Sequence, residues 1–288
     1  MKTSTSKRLR WNVAIWLAAG LFMTGTAGMA AGPIMPDPKA EARHQPQVEE
    51  TANGIPLVNI TAPSSGGVSR NEYETFNVPD KGAILNNSYT LSKTELAGYV
   101  QGNNNMAERP AKIIVNEVTG AGSTSMDGFL EVAGNRADVV IANPNGITVN
   151  GGGFINTGKA FLTTGKPVYD GEDHLQRFDI TGGDILIEGK GLGGKETESL
   201  AILSRAVKIN AGIWAEDLHI TTGANTVDAK TLEASAIEGK GGRPAFALDT
   251  AAIGGMYAGR ITLVGTEKGL GVNNSGTWSA EDNLTLDW

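Results

Sequence analysis

The side chains able to do chemistry are few and scattered. Gly189-Lys-Gly191-Leu-Gly-Gly194 has the G-x-G-x-x-G spacing of a phosphate cradle and follows a strand-like run, Asp184 to Glu188. Read onward it imitates a phosphate loop as far as Lys195, but Glu196 stands where a Ser or Thr hydroxyl would hold magnesium, and a carboxylate there repels phosphate. A glycine-rich connection between successive turns of the chain is the better reading. His44, His174 and His219 share no metal-ligand spacing, and neither H-E-x-x-H nor G-x-S-x-G occurs. His219 alternates with Leu218 and Ile220, so it should point outward from a strand. Asp170, Glu172 and Asp173 lack the spacing of a calcium loop and read as a solvated turn. Glu216-Asp217 and Glu281-Asp282 recur at one repeat position, which favours a corner over a carboxylate pair for hydrolysis. No nucleophile, base and orienting group can be assembled. Catalysis is not expected, and no metal or cofactor is implied.

Two asparagine-rich segments carry conformational information instead. In Asn143-Pro144-Asn145-Gly146-Ile147, Pro144 holds φ near −65°, while Asn145 and Gly146 both tolerate positive φ. The flanking runs Val139-Val140-Ile141 and Ile147-Thr148-Val149 are strand-like. Together they describe a rigid corner between strands. Asn103-Asn104-Asn105-Met106 has the same polar turn character without the proline.

The elements that position such corners follow from composition. Glycine accounts for 39 of 288 residues, roughly twice the usual ~7%. Each glycine inside a helix costs about 1 kcal/mol against alanine, so a mostly helical chain is excluded, whereas turn-rich β structure accepts it. The formal net charge is −7. Lys2, Lys7, Arg8 and Arg10 sit among the first residues, which carry no acid, so the remainder is more acidic still. That argues against nucleic acid and against an electrostatic membrane anchor. There is no cysteine, hence no disulfide and no thiolate metal site.

Residues 1–30 read as a secretory signal peptide: a basic start, an apolar run from Trp11 to Met23, then small residues with Gly28-x-Ala30 at the cleavage site. The run is shorter than the ~20 residues of a membrane span, so no transmembrane segment is expected in the mature chain. Export is expected by the Sec route. Residues 31–52, rich in proline and charge, read as a flexible leader, and 53–288 as one folded domain.

Within that domain, short β-branched runs alternate with Gly and Asn. One or two helical turns are expected at Ser92 to Tyr99, where Ser92 and Glu95 have capping-box spacing and Gly98 supplies a stop. Later the chain repeats: Gly212-Ile-Trp214 through Ile220 aligns with Gly255-Met-Tyr257 through Leu263, and again, with adjustment, with Gly276-Thr-Trp278 through Leu286. Positions 214, 257 and 278 read as two turns and then one turn of a ~21-residue unit, the signature of a solenoid. With no crossover helix, each strand must pair with its copy one turn on: an all-β, single-stranded parallel β-helix of about eleven turns. A β-sandwich would show hairpin signals between alternating strands, and these are sparse. Asn283-Leu-Thr-Leu-Asp-Trp288 stops inside a strand pattern, so the chain is expected to begin a longer product or to be a truncated copy of one.

The segment Asn53-Gly-Ile-Pro-Leu-Val-Asn-Ile-Thr-Ala-Pro-Ser-Ser-Gly-Gly-Val-Ser-Arg-Asn71 resembles the opening of two-partner secretion exoproteins of the filamentous haemagglutinin and contact-dependent inhibition type. Phe76-Asn-Val, Ile84-Leu-Asn-Asn87, Asn116-Glu-Val-Thr-Gly120, Glu131-Val-Ala-Gly134, Ile141 to Ile147 and Leu162-Thr-Thr-Gly-Lys-Pro167 continue the resemblance in order. It implies a right-handed parallel β-helix with an amino-terminal cap and small extra-helical β elements. It also implies a secretion domain recognised by the periplasmic POTRA domains of an outer-membrane β-barrel transporter. The exoprotein would be secreted or held at the cell surface, where an adhesin, haemagglutinin or growth-inhibition toxin would meet a receptor or glycan. Asn-Pro-Asn motifs mark that family as its transporter-recognition and secretion motif. Asn143, Pro144, Asn145, Gly146 and Ile147 keep one; Asn103, Asn104, Asn105 and Met106 occupy the place of the other, with Asn104 replacing proline and Met106 replacing leucine. Two other function classes remain open on the residues alone: a polysaccharide-active β-helix enzyme, and a short stand-alone carbohydrate-binding haemagglutinin.

Overall fold

A computed structural model describes residues 32–106 and 109–288, so the expected signal peptide lies outside the described residues. Most backbone pairing runs in parallel between successive turns of the chain. One wall contains Pro56–Asn59, Ala83–Asn87, Phe129–Gly134, Gly152–Ile155 and Leu192–Gly194 in parallel. A second contains Val68–Phe76, Ile113–Val118, Ala137–Ala142, Thr157–Thr163 and Ser199–Ser204. The long strands Gly212–Thr222, Gly255–Gly265 and Thr277–Asp287 then serve both walls in turn, giving each wall eight strands. The third wall runs from Thr124–Met126 through Ile147–Val149, Asp184–Ile187, Ala206–Ile209 and Phe246–Thr250 to Gly271–Asn274. The fold is a parallel β-helix.

Three walls enclose one dry interior. Leu130 with Phe154, and Leu192 with Ile213 and Met256, stack in register on the first wall, each at most 1% exposed. Val139, Ala160, Leu200, Leu218 and Ile261 do the same on the second, and Ile147, Ile185, Val207 and Leu248 on the third. Burying each of the larger side chains stabilises the fold by roughly 1.5–3 kcal/mol, and every turn extends the same core.

Among the described residues the helix has eight turns rather than the expected eleven, because some turns carry excursions. Leu192 pairs with Ile213 and Met256 with Trp278, 21 and 22 residues on. Trp214 pairs directly with Tyr257, so their 43-residue spacing is one turn with an insertion, not two turns. The inserted strands Asn225–Asp228 and Ala234–Ala236 join Lys166–Tyr169 and Leu175–Ile180 in an antiparallel sheet of four. Its Phe178, Ile180 and Val227 cover Val115, Val140, Phe161 and Leu203, which face away from the interior. That second cover explains why strands such as Ala137–Ala142 are apolar on both faces.

Three further expectations are corrected. The helix at Ser92 to Tyr99 is a hairpin of Ser92–Thr94 and Gly98–Val100 laid over the first wall. The Ser92 hydroxyl bonds Ser88 instead of capping a helix, and the buried Glu131 carboxylate accepts the Glu95 and Leu96 N–H groups at 2.7 and 2.9 Å. The leader expected to be flexible over 31–52 is folded from Ile34: Ile34–Pro36 pairs antiparallel with Val68–Phe76, and Gln47–Glu50 with Pro56–Asn59, closing strand edges at the first turn. The third repeat is slipped by one residue, so that Trp278 pairs with Met256 rather than Tyr257. A one-residue slip reverses the face, and Trp278 packs against the core with its indole N–H on Thr250. A bulge between Ala258 and Arg260 restores the alignment of Ile261 with Leu284.

Truncating one rung of the core tests this architecture. Leu218→Ala should lower unfolding free energy by roughly 2–5 kcal/mol in urea titrations, through lost burial and the cavity it leaves.

Candidate functional site

Asn143 ends the second-wall strand Ala137–Ala142 and is fully buried. Its side-chain amide donates to the Gly122 carbonyl and the Thr124 hydroxyl at 2.9 and 3.0 Å, tying the corner to the preceding turn. Its Oδ1 accepts the Asn145 N–H at 2.9 Å, and its own carbonyl accepts the Gly146 N–H at 3.1 Å. Asn, Pro, Asn and Gly thus occupy the four positions of a β-turn at which each is favoured. Gly146 takes φ +108°, a conformation closed to larger residues, and Asn145 does not need positive φ. Ile147 then enters the core as the first residue of Ile147–Val149.

Asn103-Asn104-Asn105-Met106 builds the same corner elsewhere. The buried Asn103 amide donates to the Ile60 and Asn86 carbonyls, both at 2.9 Å. Its Oδ1 accepts the Asn105 N–H at 2.9 Å, and its carbonyl the Met106 N–H at 3.2 Å. In both segments the second asparagine reaches back to a carbonyl that the first one holds: Asn105 to Ile60, Asn145 to Gly122. Met106 is fully buried in the core. Asn104 in place of proline leaves the corner's hydrogen bonds formed. Position 104 is exposed, and among the described residues its N–H donates no hydrogen bond that proline would remove.

The structure does not bring the two corners together. One follows the hairpin excursion and leads towards Ile113–Val118; the other joins Ala137–Ala142 to Ile147–Val149. Beside the first lies a cavity of about 470 Å³, lined by Asn105, Arg43, His44, Arg70 and Asp173 among others. Its wall is charged. Arg70 bonds Glu72 at 2.9 Å and reaches Glu117 at 3.4 Å, while His44 meets Glu72 at 3.1 Å. Burial pushes the Glu117 carboxyl up, and burial together with the Arg70 charge pushes His44 down. Pro63 and Ser64 are shared with a second cavity of about 630 Å³ that includes Arg109, Lys112 and Arg136.

Sequence reasoning missed the wider set to which these corners belong. Asn71, Asn86, Asn87 and Asn116 are fully buried. Asn71 and Asn116 donate their amides to the Val115 and Val140 carbonyls within the next strand of the second wall, and Asn86 and Asn87 to the Gln101 and Ala111 carbonyls in the connection between the first and second walls. The signal was present as apolar runs ending in Asn, as in Ile84-Leu-Asn-Asn87. Of the other residues singled out, Gly189 and Gly191 adopt positive φ in the connection before Leu192–Gly194. His219 points outward between Leu218 and Ile220, half-buried, on Thr221. Asp170 accepts the Glu172 and His174 N–H groups as an exposed turn, which holds its carboxyl below the usual range.

The sequence profile of the TPS secretion domain matches residues 33–287. The chain belongs to the TPS secretion domain family. The crystal structure of the filamentous hemagglutinin secretion domain superimposes with a TM-score of 0.80 at 33% identity, covering 88% of this chain and 86% of that one. Toxin CdiA of Yersinia pestis is 47% identical over 249 residues, 86% of this chain and 8% of that protein. The 16S rRNA endonuclease CdiA of Enterobacter cloacae is 47% identical over 242 residues, 83% of this chain and 7% of that protein. The TPS domain described here thus spans less than a tenth of the length of these curated relatives. It is a secretion domain of the kind carried by large CdiA-like and filamentous-haemagglutinin-like exoproteins.

Asn143→Ala strips the corner of both donor and acceptor and should cost about 1–3 kcal/mol in chemical denaturation. Asn104→Pro should raise stability by about 0.4–1 kcal/mol, because a compatible proline restricts the unfolded chain. A destabilised Asn104→Pro protein would contradict the equivalence of the two turns.

Proposed function

We propose that this domain directs an exported exoprotein to its partner outer-membrane transporter, whose periplasmic POTRA domains recognise it before the β-helix closes. Membership of the TPS family supports the transporter, and the exoprotein is secreted or displayed at the surface. The wider product, an adhesin or a contact-dependent toxin, acts through parts outside this chain.

Within that function the asparagine motifs act through folding. The observation that carries this reading is the shared bonding of the two corners: Asn103 and Asn143 spend their side chains on the backbone, and Asn105 and Asn145 donate back to it. The exposed tips, Asn104 and Pro144, differ chemically. A transporter reading the tips would meet an amide at one and a hydrocarbon ring at the other, whereas the corner bonds are common to both. The motif thus fastens rungs as the chain emerges, and folding outside opposes its return.

Co-expression with the cognate transporter tests this. Asn143→Ala should reduce both the melting temperature and the amount of secreted protein, and Pro144→Ala should leave export within about twofold of wild type. Abolished export in Pro144→Ala with an unchanged melting curve would assign the tip to direct transporter contact.

A further inference from the structure

The outer face of the first wall carries a column of positions related by parallel register: Phe129, Gly153, Gly193, Trp214 and Tyr257. The three aromatic side chains are 43%, 36% and 39% exposed, while their chain neighbours Leu130, Ile213 and Met256 face the core. Each lies down on glycine. A Cβ at Gly153 would stand 2.4 Å from the Phe129 ring, one at Gly212 2.5 Å from the Trp214 indole, and one at Gly255 2.8 Å from the Tyr257 hydroxyl. The rings therefore lie along the sheet and present their faces to water. Trp214 and Tyr257 are nearly parallel, with centroids 6.2 Å apart and 15° between planes. Between Phe129 and Trp214 the column has no side chain. The gap is a pit of about 370 Å³ lined by Phe129, Phe154, Gly193, Lys195, Glu196 and Trp214.

The geometry points to a binding platform for an uncharged polysaccharide, with one pyranose in the Gly193 pit between Phe129 and Trp214 and the next on Trp214 and Tyr257. Three features select this ligand. Flat π faces attract the polarised C–H groups on the face of a pyranose ring, as they attract a cation or a ring edge. Outside the Gly193 pit, the sheet surface with its recumbent rings offers no socket for the side chains of a protein partner. The pit's ionic lining is one lysine and one glutamate, which cancel and leave donors and an acceptor for hydroxyl groups, so an anionic glycan gains nothing. Successive rungs lie ~4.8 Å apart, comparable with the length of one sugar ring along a chain. The platform lies apart from the asparagine corners and does not rest on the transporter reading.

Calorimetric titration of the mature chain with tetrasaccharides of cellulose, mannan and galactan tests the proposal, with a heparin tetrasaccharide as the charged control. At least one neutral tetrasaccharide should bind saturably and more tightly than heparin. Trp214→Ala should weaken that binding roughly tenfold, about 1.4 kcal/mol, with an unchanged melting curve. Gly193 has no neighbour closer than 3.8 Å to an added Cβ, so Gly193→Leu should fill the pit, keep the fold and weaken binding as much. Absence of binding to all three neutral glycans, or binding indifferent to both substitutions, would overturn the proposal. So would a dimer in sedimentation that Trp214→Ala dissociates, which would assign the face to self-association.

Discussion

A coiled chain can satisfy its backbone along each wall by pairing with the next turn, but at every corner it leaves the ladder. Buried peptide groups there need partners at a cost of several kcal/mol if they find none. An asparagine side chain is itself an amide, with a donor and an acceptor placed as in a peptide unit. Asn86, Asn87, Asn103 and Asn143 supply that missing unit at the corners. These amides close the corners around the apolar interior with protein hydrogen bonds.

That constraint explains the division of labour among the chain's polar residues. Asparagine, threonine and serine sit where the backbone turns, whereas the charged residues are mostly exposed. The exceptions tie added elements to the coil. Arg205 pairs with Glu267 at 2.9 Å and holds the Lys240 carbonyl, fixing an excursion to the second and third walls. Arg70, Glu72, Glu117 and His44 join the cap to the first two turns of the second wall. Glu131 seats the hairpin of Ser92–Thr94 and Gly98–Val100.

These excursions also mark where local pattern was overruled. Ser92 and Glu95 do have helix-capping spacing, but a helix over so few residues is marginal in water. Glu131, which lies on the first wall 36 residues further along the chain, offers the Glu95 N–H a stronger partner than a helical turn would. Likewise, 31–52 is too polar to signal strands, yet its strands exist because the first turn presents unpaired edges to be covered.

The amino-acid sequence by itself determined the coil: glycine content excluded helices, the Gly212, Gly255 and Gly276 repeats implied stacked turns, and Asn143 to Ile147 was legible as a corner. Those features are local, since propensity, turn chemistry and period 2 act within a few residues. Tertiary structure alone decided the number of turns, the slip that takes Trp278 inward, the equivalence of Asn103 with Asn143, and the outward alignment of Phe129, Trp214 and Tyr257. Each depends on which residue lies one turn away, and insertions of variable length make that distance anything from 18 to 47 residues along the chain. Register between strands so far apart is chosen by packing of the shared core, which the linear order of residues does not display.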